Sequence, residues 1–212
     1  MDRAASRSDA LPAWLKPAML DRFEQVAVVV LFAFLTLRVF ESPNPTAPLL
    51  LVSEASVAFF VLIRRSTGNI SLRLGDWLLA FAATAGPLLF QPGADTHPAL
   101  IYIGLPLVFA GMAWQIAAKL VLRRSFGVTP ANRGVKISGP YRAMRHPIYA
   151  GYLATHVGLL MLMPSWFNAA IYAISWWAQI LRLQAEERFL LADPTYQEYA
   201  GRVRWHLVPG IY

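Results

Sequence analysis

The chain contains no cysteine. That excludes a disulfide framework, a thiolate metal site and a cysteine nucleophile. Charge is scarce too. Only 15% of the 212 residues are Asp, Glu, Lys or Arg, against about a quarter in a soluble domain. The four histidines, His97, His146, His156 and His206, are too scattered to form a metal cluster, so no metal is expected. There is no internal repeat, low-complexity tract or separate soluble domain. The opening "MDRAASRSDALPAWLKPAML" lacks the apolar core of a signal peptide and carries Asp2 and Asp9.

Apolar residues are abundant, at 57%. They fall into six segments: Phe23 to Phe40, Pro48 to Ile63, Trp77 to Phe90, Ala99 to Leu122, Ile148 to Met163 and Trp166 to Leu183. Proline- and glycine-bearing stretches such as "SPNPTAP", "QPGADTHP" and "MPSW" separate them. Several are shorter than the ~20 residues of a perpendicular span. The pattern predicts an all-α, polytopic integral membrane bundle of one compact domain, with five to six membrane segments. Residues 1–122 hold four of them. Residues 123–212 form a C-terminal region that includes a helical hairpin. Segments five and six are either two short spans or one tilted hairpin.

The cations are distributed unevenly. If all six segments cross, 18 of the 19 Lys and Arg fall on one side, with Arg38 the exception. The positive-inside rule then places both termini in the cytoplasm. In a bacterium this would be the inner membrane. Topology thus accounts for the net charge of +7, and no nucleic-acid partner is needed.

The stretch "GPYRAMRHPIYAGY", Gly139 to Tyr152, enters segment five with Arg142, Arg145 and His146. His146 lies about 18 residues before the turn at 164–165, and Glu186 about 21 after it. At 1.5 Å per helical residue their heights differ by only ~5 Å. "RHPIYAG" and the acidic pair in "QAEERF" should therefore face each other at the cytoplasmic edge. Gln179, Arg182 and Glu186 share one helical stripe. Such a set suits a zwitterion with an aromatic part, its cation on a carboxylate and its carboxylate on an Arg or His. Each part also has an ordinary explanation. Arg142 and Arg145 can anchor lipid headgroups, Pro147 can open a helix, and Glu186 can pair with Arg182 four residues away.

"RHPIYAG" followed 35 residues later by "EE" at 186–187 resembles the signature of the isoprenylcysteine carboxyl methyltransferase family, which is related to the phospholipid N-methyltransferases. The resemblance runs from Leu122 to Tyr212 and includes "SFGV" (125–128), "AEERFLL" (185–191) and "YQEYAGRVRWHLVPGI" (196–211). It implies a membrane-embedded methyltransferase that moves a methyl group from S-adenosylmethionine to an amphipathic or lipid-like acceptor drawn from the bilayer. It also implies site residues. Arg145, His146, Pro147, Tyr149, Gly151, Glu186 and Glu187 would bind the cofactor, with the backbone at Gly151 close to it. Arg202 and Tyr199 would meet the acceptor, Arg202 orienting its carboxylate, although Arg204 stands close by. Glu186 and Arg202 would be the catalytic pair. Carboxyl O-methylation is the leading activity. Amino-headgroup N-methylation, small-thiol S-methylation and a non-catalytic lipid-binding protein remain alternatives, and the oligomeric state is unreadable.

Other residues carry expectations of their own. Glu54, inside segment two, is read as a structural partner of Arg38 on the side away from the cofactor. Lys119 is expected to snorkel toward the headgroups. His156 is read as a hydrogen-bonded bundle residue, and Trp176 and Trp177 as packing residues.

Overall fold

Prolines open most of the helices, where a missing N–H costs nothing. A computed structural model gives the architecture, describing residues 12, 16–91 and 98–212. The N-terminal stretch bearing Asp2 and Asp9, with Arg3 and Arg7, and the loop containing His97 lie outside the described residues. Helix α1 spans Pro17–Phe40, α2 Pro48–Ile63 and α3 Leu74–Ala85, with a 3₁₀ turn at Gly86–Leu89. Then come α4 (Pro98–Leu122), α5 (Pro147–Leu162), α6 (Trp166–Leu190) and α7 (Pro194–Arg202). No strand forms among the described residues; one isolated bridge joins Ile70 to Ala131.

The helices overrun the apolar segments. Helix α1 starts six residues early, at Pro17, and α6 continues past Leu183 through "QAEERFL". Those added residues are strong helix formers, so the helix persists where the apolar pattern stops. Two stretches, Pro17–Phe40 and Pro98–Ser125, are long and apolar enough to cross a membrane. Only 22% and 28% of their apolar windows are buried, so neither is the core helix of a soluble domain. Val26, Val30 and Leu37 of α1 and Ile103 and Phe109 of α4 point outward. The outer face of these two helices is apolar, as a membrane-crossing helix requires.

Helices pair as α1 with α2, α3 with α6 and α4 with α5. The chain reverses between α5 and α6 through Met163 to Ser165, where the Ser165 hydroxyl accepts from the Asn168 N–H and caps α6. The two helices then diverge, α5 lying along α4 and α6 along α3.

The α4–α5 contact depends on a seam of glycines. Gly104 and Gly111 of α4 face Gly158 and Gly151 of α5, two turns apart on each helix. A Cβ added at Gly111 would sit 2.6 Å from the Thr155 nitrogen, and one at Gly151 would sit 2.7 Å from Gln115 Cβ. Added at Gly158 it would lie 2.8 Å from the Gly104 carbonyl oxygen. Close backbone approach of this kind is how helices associate where lipid removes the hydrophobic drive.

The interior contains polar groups that the sequence reading placed elsewhere. Lys119 does not snorkel. It is fully buried, and Nζ donates to Ser56 Oγ at 2.6 Å and Gln115 Oε1 at 2.7 Å, 4.8 Å above the Tyr152 ring. Gln115 Nε2 reaches Ser53 and Thr155. The ammonium faces α2 and α5, and these groups replace the water it would otherwise seek. Glu54 does not pair with Arg38 either. Arg38 donates to the Leu88 carbonyl, left free where α3 ends in its 3₁₀ turn, and lies over the Phe34 ring. Glu54 lines an inner chamber instead.

The seam yields a direct test. Gly111→Ala should force α4 away from α5 and destabilise the bundle by about 1–3 kcal/mol. Thermal unfolding of the detergent-solubilised protein would register this as a lowered midpoint, and an unchanged midpoint would refute the close contact.

Candidate functional site

Several segments meet where α5 begins. Backbone bonds dock the C-terminal tail onto the "RH" pair: Arg145 N–H donates to Trp205 O and His146 N–H to His206 O, both at 2.8 Å. The Arg145 guanidinium adds bonds to the carbonyls of Val203 and Arg204. His146 is the residue preceding α5, yet its side chain does not cap that helix. It turns to α6.

Glu187 receives it. His146 Nε2 lies 2.7 Å from Oε1, Arg145 Nη1 2.6 Å from Oε2, and the Tyr196 hydroxyl donates to Oε1 at 2.5 Å. His206 Nε2 stands 3.5 Å away. Burial alone would raise the Glu187 pKa, but bonds from His146 and Tyr196 and the Arg145 charge outweigh it and bring the carboxyl down to about 2. The carboxylate is therefore an acceptor, which fixes the proton of His146 on Nε2. Burial and then the adjacent Glu187 charge push the Tyr196 phenol up, so it stays a donor.

The loop after α4 forms the opposite wall, and a buried ionic cluster pins it. Arg64 pairs with Asp21 at 2.9 Å and with Glu24. Glu24 Oε1 also accepts the Val128 N–H at 2.7 Å, and Arg133 pairs with Asp21 at 2.8 Å. Asn132 Nδ2 ties the loop to Asp193, the N-cap of α7. The sequence reading missed Asp21 and Glu24. Their signal was present: two acids three residues apart, on one face of a helix at the edge of an apolar run.

Between this loop, α5, α6 and α7 lies a cavity of about 90 Å³ that opens to solvent. Tyr141, Tyr149, Tyr152, Tyr196 and Tyr199 supply aromatic walls, and α6 presents Arg182 and Glu186. The Tyr149 hydroxyl donates to Glu186 Oε2 at 3.0 Å. Arg182 stacks over the Tyr149 ring at 5.4 Å rather than pairing with Glu186.

The sequence-predicted residues divide between this cavity and other surroundings. Arg145, His146, Tyr149, Glu186 and Tyr199 line it. Glu187 stands behind them, bonded to Arg145 and His146. Pro147 is buried in the first turn of α5. Gly151 faces α4 across the glycine seam. Tyr199 has its hydroxyl on the carbonyls of Tyr141 and Met144. Arg202 is exposed, paired with Glu198 at 3.2 Å, outside the cavity. His156 accepts the Trp176 indole N–H on Nδ1 and stacks on Tyr172. Trp177 is exposed.

A family model described as phospholipid methyltransferase matches residues 98–196, which covers α4 to the first turn of α7. Over 134 residues the chain is 29% identical to protein-S-isoprenylcysteine O-methyltransferase A of Arabidopsis thaliana, covering 59% of this chain and 68% of that protein. It is 28% identical over 124 residues to protein-S-isoprenylcysteine O-methyltransferase B of the same plant, covering 55% and 63%. The chain thus spans about two thirds of the length of these relatives. It is a methyltransferase. The family resemblance carried by "RHPIYAG" and "EE" holds, and the proteins it matches are isoprenylcysteine and phospholipid methyltransferases.

The Glu187 cluster has a pH signature. A carboxyl whose folded pKa is about 2, below its ordinary 4.5, stabilises the fold fully above about 4.5 and loses that contribution as pH falls toward 2. Glu187→Gln should lower the thermal midpoint at neutral pH and flatten the midpoint-versus-pH curve across that window. An unaltered acid limb would show that the carboxylate does not hold the tail.

Proposed function

We propose that this methyltransferase uses S-adenosylmethionine and methylates the carboxylate of a lipid-like, isoprenylcysteine-type acceptor that enters from the bilayer. The observation that carries this reading is the cavity itself. The motifs shared with the family surround it, and its groups match the parts of that cofactor. The tyrosine rings offer faces for an adenine and a sulfonium. Glu186, bonded to a single phenol, keeps acceptor capacity for an amino group or ribose hydroxyls. His146 and Arg145 brace the mouth through Glu187, and Tyr149 holds Glu186 in place. When bound, S-adenosylmethionine supplies an already activated methyl group.

What the protein must add is position and exclusion of water. A carboxylate acceptor is already a nucleophile and needs no general base. We assign the chemistry to residues 123–212 and take α1–α4 as its membrane scaffold. In this reading five or six segments enter the membrane, α5 and α6 run in and back as two short spans or a tilted hairpin, and the cavity opens on the cytoplasmic side, where the cations are concentrated. Arg202 and Tyr199 belong to the acceptor's approach, Arg202 at the exposed rim. The phospholipid-methyltransferase match supports a second reading, methylation of an amino headgroup, where Glu186 would accept the proton the amine loses.

Labelled S-adenosylmethionine separates the two. Methyl label carried into membranes should be released by base if the product is an ester; base-stable label would favour the amine. Glu186→Ala should weaken S-adenosylhomocysteine binding about tenfold or more in calorimetry, as expected for loss of a charged hydrogen-bond acceptor. Unchanged affinity would remove Glu186 from the cofactor site. Arg202→Ala should raise the KM for the acceptor and leave that affinity unchanged.

A further inference from the structure

Arg182 lacks a partner suited to a buried cation. It is 6% exposed, and its guanidinium offers five N–H donors. Among the described residues the only hydrogen bond recorded for it is a long one, Nη1 to Gln179 Oε1 at 3.4 Å, and Nε is buried without an acceptor. No carboxylate lies within ion-pair distance of it among the described residues. Glu186, one turn along α6, is held by the Tyr149 hydroxyl, and the Tyr149 ring covers one face of the guanidinium. Removing a cation from water with most of its donors unfilled is costly, so a buried fork of this kind is suited to receive an anion.

Its place in the fold indicates where that anion sits. Arg182 lines this solvent-open cavity and also a small inner chamber, where Glu54, His156 and Gln179 are further lining groups. Phe126 and Tyr152 are the other residues common to both spaces. These three side chains form the partition between the solvent-open cavity and the bundle interior.

We propose that Arg182 is the carboxylate receptor of this enzyme, binding an amino-acid carboxylate at the partition between the two chambers. Arg202, exposed and paired with Glu198, is not placed to do so from inside. The inference rests on the proposed methyl transfer. Two ligands of that reaction carry the group, the methionine part of the cofactor and a prenylated cysteine acceptor. A planar, buried fork can take either in a bidentate pair.

The test uses the full chain in detergent, as wild type, Arg182→Gln and Arg182→Lys. Calorimetry compares S-adenosylhomocysteine with 5′-methylthioadenosine, which lacks the amino-acid part. Kinetics uses N-acetyl-S-farnesylcysteine, with its carboxamide as a carboxylate-free competitor. If the cofactor supplies the carboxylate, Arg182→Gln weakens S-adenosylhomocysteine about tenfold or more and spares methylthioadenosine. If the acceptor supplies it, S-adenosylhomocysteine affinity holds while the KM of the farnesylcysteine rises by a similar factor and carboxamide inhibition is unchanged. Either result supports the proposal. Should the Gln variant not fold, Arg182→Lys carries the same comparison, because lysine keeps the charge and loses the fork. The proposal is overturned if no carboxylate ligand loses affinity, or if carboxylate and carboxylate-free ligands lose it equally. Wild type that binds neither nucleoside overturns the methyl-transfer reading itself, a result distinct from a wild type that binds while the variants behave like it.

Discussion

Glu187 accepts from His146, Arg145 and Tyr196 at once, and His206 stands close behind them. Those partners come from the entrance of α5, the start of α7 and the tail, so one carboxylate joins segments up to 42 residues apart in the chain. A charge at the edge of an apolar bundle would ordinarily seek water. Here the donors outweigh the desolvation cost, as the depressed pKa of the carboxyl records. The cavity walls follow from this arrangement. With the tail bonded to Arg145 and His146, α7 brings Tyr196 and Tyr199 against the start of α5.

The same principle operates on the other side of the cavity. Asp21, Glu24, Arg64 and Arg133 form a dry cluster that fixes the loop after α4 through the Val128 N–H. Such clusters are weak sources of net stability, because desolvation offsets most of the attraction. Their value here is geometric. A loop rich in turns, held only by apolar contacts, would have many near-equivalent placements; charges that must meet their partners leave few.

The sequence made the helical class legible because long apolar runs and prolines are local signals. It also made the facing of "RHPIYAG" and "EE" legible, since helix rise and the turn at 164–165 set their heights. Lateral packing was not legible. Which helix α5 lies beside depends on the glycine seam, and the glycines of each helix are spaced by seven residues within otherwise apolar text. Lys119 was misplaced for a related reason. Snorkelling assumes lipid around the side chain, whereas a hydroxyl from α2, an amide from α4 and the Tyr152 ring of α5 surround it. Asp21 and Glu24 were missed because their partners lie 40 or more residues away.

The adjacent acids show how neighbours in sequence can come to differ in chemistry. Successive helical positions point about 100° apart, so Glu187 turns to the tail while Glu186 lines the cavity. Glu187 has charged and neutral donors on both oxygens, which leaves little capacity for a ligand. Glu186 has one phenolic donor. Its remaining lone pairs face a space that also holds, on the same helix, a guanidinium with one long hydrogen bond. A wall carrying an under-satisfied anion and an under-satisfied cation one turn apart is complementary to a zwitterion. Neither group was completed by folding, although the neighbouring Glu187 was, and that contrast points to a ligand as the missing partner of both.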